Sequence, residues 1–114
     1  MSNKRKLGNS DLSVSPVGLG CMGFSHAYGA PTKKSEAVKM IRKAYDMGYD
    51  FFDTAECYTG INADGSTSFN EELVKEALKD VRDKVVIATK FGVRHSDRGL
   101  LMDSTPETIR KSVE

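Results

Sequence analysis

Three side chains of complementary chemistry sit at the ends of apolar runs in this sequence: Asp53, Tyr58 and Lys90. Asp53 closes "YDFFD", Tyr58 follows five residues later in "FFDTAECYTG", and Lys90 closes "KVVIATK". An isolated phenol loses its proton near about pH 10 and an ammonium near about 10.4. An ammonium about 4 Å from a phenol favours the phenolate by up to roughly 4 kcal/mol at an effective dielectric of ~20, and desolvation of the phenol opposes part of that. A carboxylate beside the ammonium would hold it charged and in place, leaving a tyrosine able to hand a proton to a developing alkoxide. The same residues also have plain readings: an aspartate as a turn former, a lysine reaching to solvent, a tyrosine covering the core.

For the three to meet, the chain must bring strand ends 37 positions apart together, and its pattern predicts how. Residues 4 to 14 read as a hairpin around Gly8-Asn9-Ser10, and a short buried strand is predicted over about 17 to 20. After a loop rich in Gly and Pro, Ala37, Val38, Ile41, Ala44 and Tyr45 define one helix face, with Thr32 or Ser35 as the expected cap and Gly48 as the stop. "YDFFD" is the second strand. Ser68 and Glu71 have capping-box spacing before a helix lined by Leu73, Val74, Ala77, Leu78 and Val81, and residues 84 to 90 form a β-branched third strand. Strands alternating with amphipathic helices imply a parallel sheet with right-handed crossovers, either an open doubly wound sheet or a barrel. In either, functional residues gather at the carboxyl ends of the strands, where Asp53 and Lys90 fall.

A third helix is expected from about residue 105, with Ser104 and Glu107 at capping-box spacing, and it reaches Glu114 without a stop signal. The expectation is therefore the N-terminal part of one domain, residues 1–114, whose strand edges a further segment or a second chain completes.

Composition narrows the class. With 39% hydrophobic and 29% charged residues this is a globular chain, and its net charge of +1, with basic residues scattered, suggests neither nucleic acid nor a membrane surface as partner. No apolar run is long enough to span a bilayer and "MSNKRKLGNS" lacks a signal-peptide core, so a cytoplasmic location is expected. Cys21 and Cys57 are expected to be reduced thiols.

"GLGCMGF", "FFDTAECY", "NEELVKEALK" and "VVIATKFGV" resemble, in order and spacing, the N-terminal third of the aldo-keto reductases. The resemblance covers nearly the whole chain. It implies an α/β fold, an N-terminal hairpin plus the first three βα units of a (β/α)8 TIM barrel, and reduction of aldehydes or ketones with NADPH (NADH possible) and no metal. It further implies that Asp53, Tyr58 and Lys90 match three of the family's four catalytic residues, with Tyr58 as proton donor. Gly20, Cys21 and Met22 match the segment near the nicotinamide ribose, and Asp53 also lies near it. The family's catalytic histidine, at the end of the fourth strand, and most of its cofactor-binding loops fall beyond residue 114. His95 is too early in the chain to take that role. Phe24 and Tyr28, in the loop after the first strand, are candidates for lining the mouth of a carbonyl substrate's site.

Three other readings compete. Gly18, Gly20 and Gly23 spell G-x-G-x-x-G, a dinucleotide fingerprint, but Gly29 and Pro31 delay the helix that such a motif should open. Cys21, His26, Cys57 and His95 make a zinc-like ligand set without any short ligand spacing, so the expectation is no metal. A barrel piece that binds cofactor without turnover, or is inert, is the third.

Overall fold

The computed structural model describes residues 3–114. Strands β1 (Arg5–Lys6) and β2 (Ser13–Val14) form the expected antiparallel hairpin, with Arg5 opposite Val14 and Lys6 opposite Ser13. Gly8 takes the left-handed conformation, φ +57°, that its turn requires.

β3 (Leu19–Gly20), β4 (Phe51–Asp53) and β7 (Val86–Ala88) make a parallel three-stranded sheet in that order. Between them run α1 (Lys34–Asp46) and α2 (Asn70–Leu78), which pack on each other and cover one sheet face. Ala37 and Ile41 of α1, Leu73, Val74, Ala77 and Leu78 of α2, and Phe52 of β4 form a single buried cluster. Side chains alternate along a strand, so burying Phe52 toward the helices turns Phe51 and Asp53 to the opposite face.

Two further hairpins were not foreseen from the pattern: β5 (Thr59–Ile61) with β6 (Thr67–Phe69), and β8 (Val93–Ser96) with β9 (Gly99–Met102). Their strands are short and lack clean alternation, so they read as loop. The last helix, α3, spans Pro106–Val113.

The helix caps correct the sequence reading. α1 starts after Lys33 with no side-chain cap, so neither Thr32 nor Ser35 serves. Ser68 lies in β6 and is buried; α2 follows Phe69, again without a side-chain cap. At α3, Thr105 rather than Ser104 accepts from the Thr108 N–H. Ser35 already lies inside α1, and Ser68 is held within the β6 strand. Gly48 does end α1, at φ +106°. The third strand is shorter than expected, stopping at Ala88. Among the described residues no helix is long and apolar enough to cross a membrane.

One buried polar contact locks the hairpin to the sheet. The Asp50 carboxylate accepts from the Ser15 N–H (2.5 Å) and pairs with the Lys4 ammonium (2.6 Å), while the Ser15 hydroxyl accepts from the Asp50 N–H (3.2 Å). Burial pushes this carboxyl up, yet the bonds from Lys4 and Ser15 outweigh it and hold it below the ordinary carboxylate range. A group lowered on folding stabilises fully above its unfolded value of about 3.9, and that stability is lost as pH falls through the lower folded value. Asp50→Asn is expected to lower stability by about 2 kcal/mol near neutral pH. The deficit should shrink once the pH drops below about 3.9. Urea midpoints measured across that range check it, and a pH-independent deficit would contradict the ionic account.

Candidate active site

The sheet register brings the sequence-predicted residues together. Asp53 pairs with Gly20 on one side and Ala88 on the other, and the chain beyond it stays bound to its neighbours. The Cys21 N–H donates to the Asp53 carbonyl (2.9 Å), the Thr54 N–H to the Ala88 carbonyl (2.9 Å) and the Glu56 N–H to the Lys90 carbonyl (3.0 Å). Thr89 turns away and donates to Glu71, so Lys90, by alternation, turns toward Asp53.

The Lys90 ammonium donates to both Asp53 carboxylate oxygens (3.0 and 2.9 Å) and to the Thr54 carbonyl (2.7 Å). Those three acceptors match its three protons. Its nitrogen also lies over the Tyr58 ring, 4.9 Å from the centroid. Burial pulls the ammonium down, but contacts with Asp53 and Tyr58 outweigh it and raise it above the ordinary lysine value. Lys90 is therefore charged throughout the neutral range. The pair is open, with side chains 48% and 51% exposed, so solvent screens much of its energy.

What places Tyr58 is a residue that the pattern did not single out. Asn70, 1% exposed at the start of α2, donates from Nδ2 to the Cys21 carbonyl (2.7 Å) and the Ser25 hydroxyl (2.8 Å). Its Oδ1 accepts from the Thr54 hydroxyl (2.6 Å), and its backbone N–H donates to the Tyr58 carbonyl (3.1 Å). Ser25 donates to that same carbonyl (2.8 Å). Asn70 thus ties together the segments that follow β3 and β4, and no buried side-chain nitrogen or oxygen among the described residues lacks a partner. The available signal was an asparagine opening an apolar helix face, which reads equally well as an ordinary cap.

The cofactor and substrate candidates are distributed unevenly. A Cβ on Gly20 would meet nothing within 4 Å, so the space beside Asp53 is open to a ligand close to the backbone. Cys21 is fully buried; burial first, then the Asp53 charge, pushes its thiol up to about 12. A neutral thiol of that kind is neither a nucleophile nor a ready metal ligand. Met22 and Phe24 belong to a short 3₁₀ turn, with Phe24 packed on the core, while Tyr28 stands 76% exposed. Among the described residues no three His, Cys, Asp or Glu side chains converge as a metal site, although His26 and His95 come together, 5.4 Å between ring centroids. The glycine fingerprint does not open a helix, since α1 begins only at Lys34. Gly18 instead lets the chain pass close to β4: a Cβ there would lie 3.2 Å from the Phe51 carbonyl and ring, a tight contact.

The model of the Aldo/keto reductase family matches residues 16–114. The chain belongs to that family. It is 41% identical over 113 residues to "Probable aldo-keto reductase 1" of Glycine max, covering 96% of this chain and 30% of that protein. It is 35% identical to "Uncharacterized oxidoreductase YqkF" of Bacillus subtilis (strain 168), covering 97% and 33%. The solved aldo-keto reductase AKR11C1 from Bacillus halodurans, in its holo form, superposes with a TM-score of 0.76 at 32% identity, covering 96% of this chain and 33% of that one. The chain thus spans about a third of the length of these relatives. β3, β4 and β7 with their helices are the first three βα units of the aldo-keto reductase (β/α)8 barrel, preceded by its hairpin. Carboxyl-end placement of Asp53 and Lys90 is the general position of active sites in such barrels.

Gly60 is a further constraint that neither spacing nor composition announced. A Cβ there would lie within clashing distance of the Ser25 carbonyl and 2.9 Å from the Pro31 ring. Gly60→Ala must therefore push β5, and Tyr58 just before it, away from the loop between β3 and α1 that carries Ser25 and Pro31. It is expected to cost about 1–3 kcal/mol as overpacking. Gly65→Ala, strained at φ +86° but meeting nothing within 4 Å, should leave that contact intact. Denaturation midpoints together with the Ser25 and Tyr58 amide shifts distinguish the two, and unchanged shifts in Gly60→Ala would refute the close approach.

Proposed function

We propose that this chain carries the proton-donating half of an NAD(P)H-dependent reduction of aldehydes or ketones to alcohols. The observation that carries the proposal is the Lys90 ammonium, held on both oxygens of Asp53 and 4.9 Å from the Tyr58 ring. Family membership supports an oxidoreductase in general, and the arrangement supports the finer reading.

Tyr58 holds the transferable proton on its phenolic oxygen. As negative charge builds on a carbonyl oxygen beside it, the proton passes to that oxygen, and the positive charge of Lys90 stabilises the phenolate left behind. Asp53 keeps Lys90 charged and oriented, and the Thr54 carbonyl occupies its remaining proton. The open space beside Gly20, next to the half-exposed Asp53 carboxylate, fits a nicotinamide ribose with its hydroxyl donors, with Cys21 and Met22 contributing backbone on the same side. NADPH, or NADH in its place, supplies the hydride when bound there. Tyr28, on an exposed loop, is available to a small carbonyl substrate, whereas the packing of Phe24 favours a part in shaping the turn.

β3 and β7 each pair on one side only among the described residues, so the proposal includes a further segment or second chain that completes the sheet. Free Cys21 and Cys57 suit a reducing compartment, the cytoplasm.

In a protein with the remaining strands in place, Tyr58→Phe is expected to lower kcat by about 10²-fold or more while leaving NADPH binding, read by fluorescence quenching, nearly unchanged. Lys90→Met should do the same. Full turnover in Tyr58→Phe would refute the role of proton donor, and tight NADPH binding with no turnover in the parent would favour a non-catalytic cofactor-binding barrel.

A further inference from the structure

The three carbonyls around the tyrosine are each held by a different outlying side chain. The Cys57 carbonyl is bonded to His95 Nε2 at 2.9 Å, the Tyr58 carbonyl to Ser25, and the Thr59 carbonyl to His26 Nδ1 at 2.9 Å. A carbonyl can only accept, so each of these ring nitrogens must carry a proton. That fixes His26 as the Nδ1–H form and His95 as the Nε2–H form when neutral, and leaves His26 Nε2 and His95 Nδ1 as bare acceptors. The two rings meet edge to face at 5.4 Å, and His26 also stacks on the Tyr58 ring, 5.9 Å between centroids and 17° between planes.

We propose that His26 and His95 are positioning residues for Tyr58, gripping the backbone on either side of it and bracing its ring in register with Lys90; this rests on the reading of Tyr58 as the proton donor. Neither histidine needs to touch a reactant. His26 comes from the loop after β3 and His95 from β8, so the clamp spans the segments that follow two different strands of the sheet. The Tyr58 carbonyl between these two grips is held in turn by the Asn70 N–H. The two grips are chemically distinct: one donates through Nδ1 and the other through Nε2.

That distinction supplies the test. An asparagine amide nitrogen stands close to where Nδ1 was, and a glutamine amide nitrogen close to where Nε2 was. In the 114-residue chain labelled with [13Cζ]tyrosine, Tyr58 assigned by loss of its signal in Tyr58→Phe, the Tyr58 ring should show a through-space contact to the Lys90 side chain. His26→Ala and His95→Ala are expected to weaken that contact and to move the Cζ shift toward that of an unstructured tyrosine. His26→Asn and His95→Gln should restore both, and the exchanged pair, His26→Gln and His95→Asn, should not. In a complete barrel the alanine variants are expected to lower kcat about 10-fold with the NADPH dissociation constant unchanged, and the matched amides to recover it.

An unaltered Tyr58–Lys90 contact in both alanine variants overturns the clamp, as does equal rescue by matched and exchanged amides. Should an alanine variant fail to fold, the amide pairs still decide the question. Failure of the proton-donor reading is separate: it shows as turnover persisting in Tyr58→Phe, while the contact measured in the isolated chain reports on the clamp alone.

Discussion

The Lys90 ammonium has three protons and three oxygen acceptors, and two of those acceptors belong to a carboxylate on the neighbouring strand. That arrangement exists only if β4 and β7 pair with Asp53 opposite Ala88. A slip of one residue would send Asp53 to the helix face and Phe52 to the open one, because side chains alternate with a period of two. The register is held by what Phe52 does on the other side. It is fully buried among α1 and α2 residues, and exposing a side chain of that size costs about 2–3 kcal/mol. The apolar core and the charged site are therefore two faces of one constraint: burying one ring aims the carboxylate.

Beyond the strand ends, order depends on polar groups that are satisfied in full. Asn70 uses both amide donors and its carbonyl, and the loops after β3 and β4 share it. Removing one member of such a network strands the others in a buried place, at about 1–3 kcal/mol for each unpaired group. Gly60 permits the same loops to approach to a distance that no side chain could share. Together these fix the Tyr58 backbone without any contact to its hydroxyl, leaving that group available for chemistry.

The strands, the helices and the meeting of Asp53, Tyr58 and Lys90 were legible because each depends on a local or periodic signal. The apolar face of α1, the β-branched third strand and the place of Asp53 at the end of its strand follow from spacing, and the structure matches them, whereas Lys90 stands two residues beyond the third strand, which stops at Ala88. The caps were misread because capping-box spacing at Ser68 and Glu71 says nothing of β6, which claims Ser68 for its own ladder and leaves Glu71 to Thr89. The hairpins β5–β6 and β8–β9 escaped notice because three- and four-residue strands hold too little periodicity. Asn70, Gly60, Ser25 and the two histidines were invisible as a group for a deeper reason. Their importance lies in contacts between residues 33 to 49 positions apart, such as Ser25 with Tyr58 and Asn70 with Cys21, and no short window contains both partners.

How strongly Lys90 acts on Tyr58 depends on what surrounds them. With both members of the Asp53–Lys90 pair about half exposed, the effective dielectric is closer to water, where two unit charges at 4 Å interact by only about 1 kcal/mol. At an effective dielectric near ~20 the same geometry is worth about 4 kcal/mol. The difference is close to a hundredfold in rate if it appears only as charge develops on the phenolic oxygen. Geometry is therefore set in advance by the sheet and its loops, whereas electrostatic strength comes from whatever fills the open space beside Gly20 and displaces water. A site built in this way is weakly polarised while open and strongly polarised when covered, so the pull of Lys90 on Tyr58 is coupled to occupancy rather than to any movement of Asp53, Lys90 or the backbone that bears Tyr58.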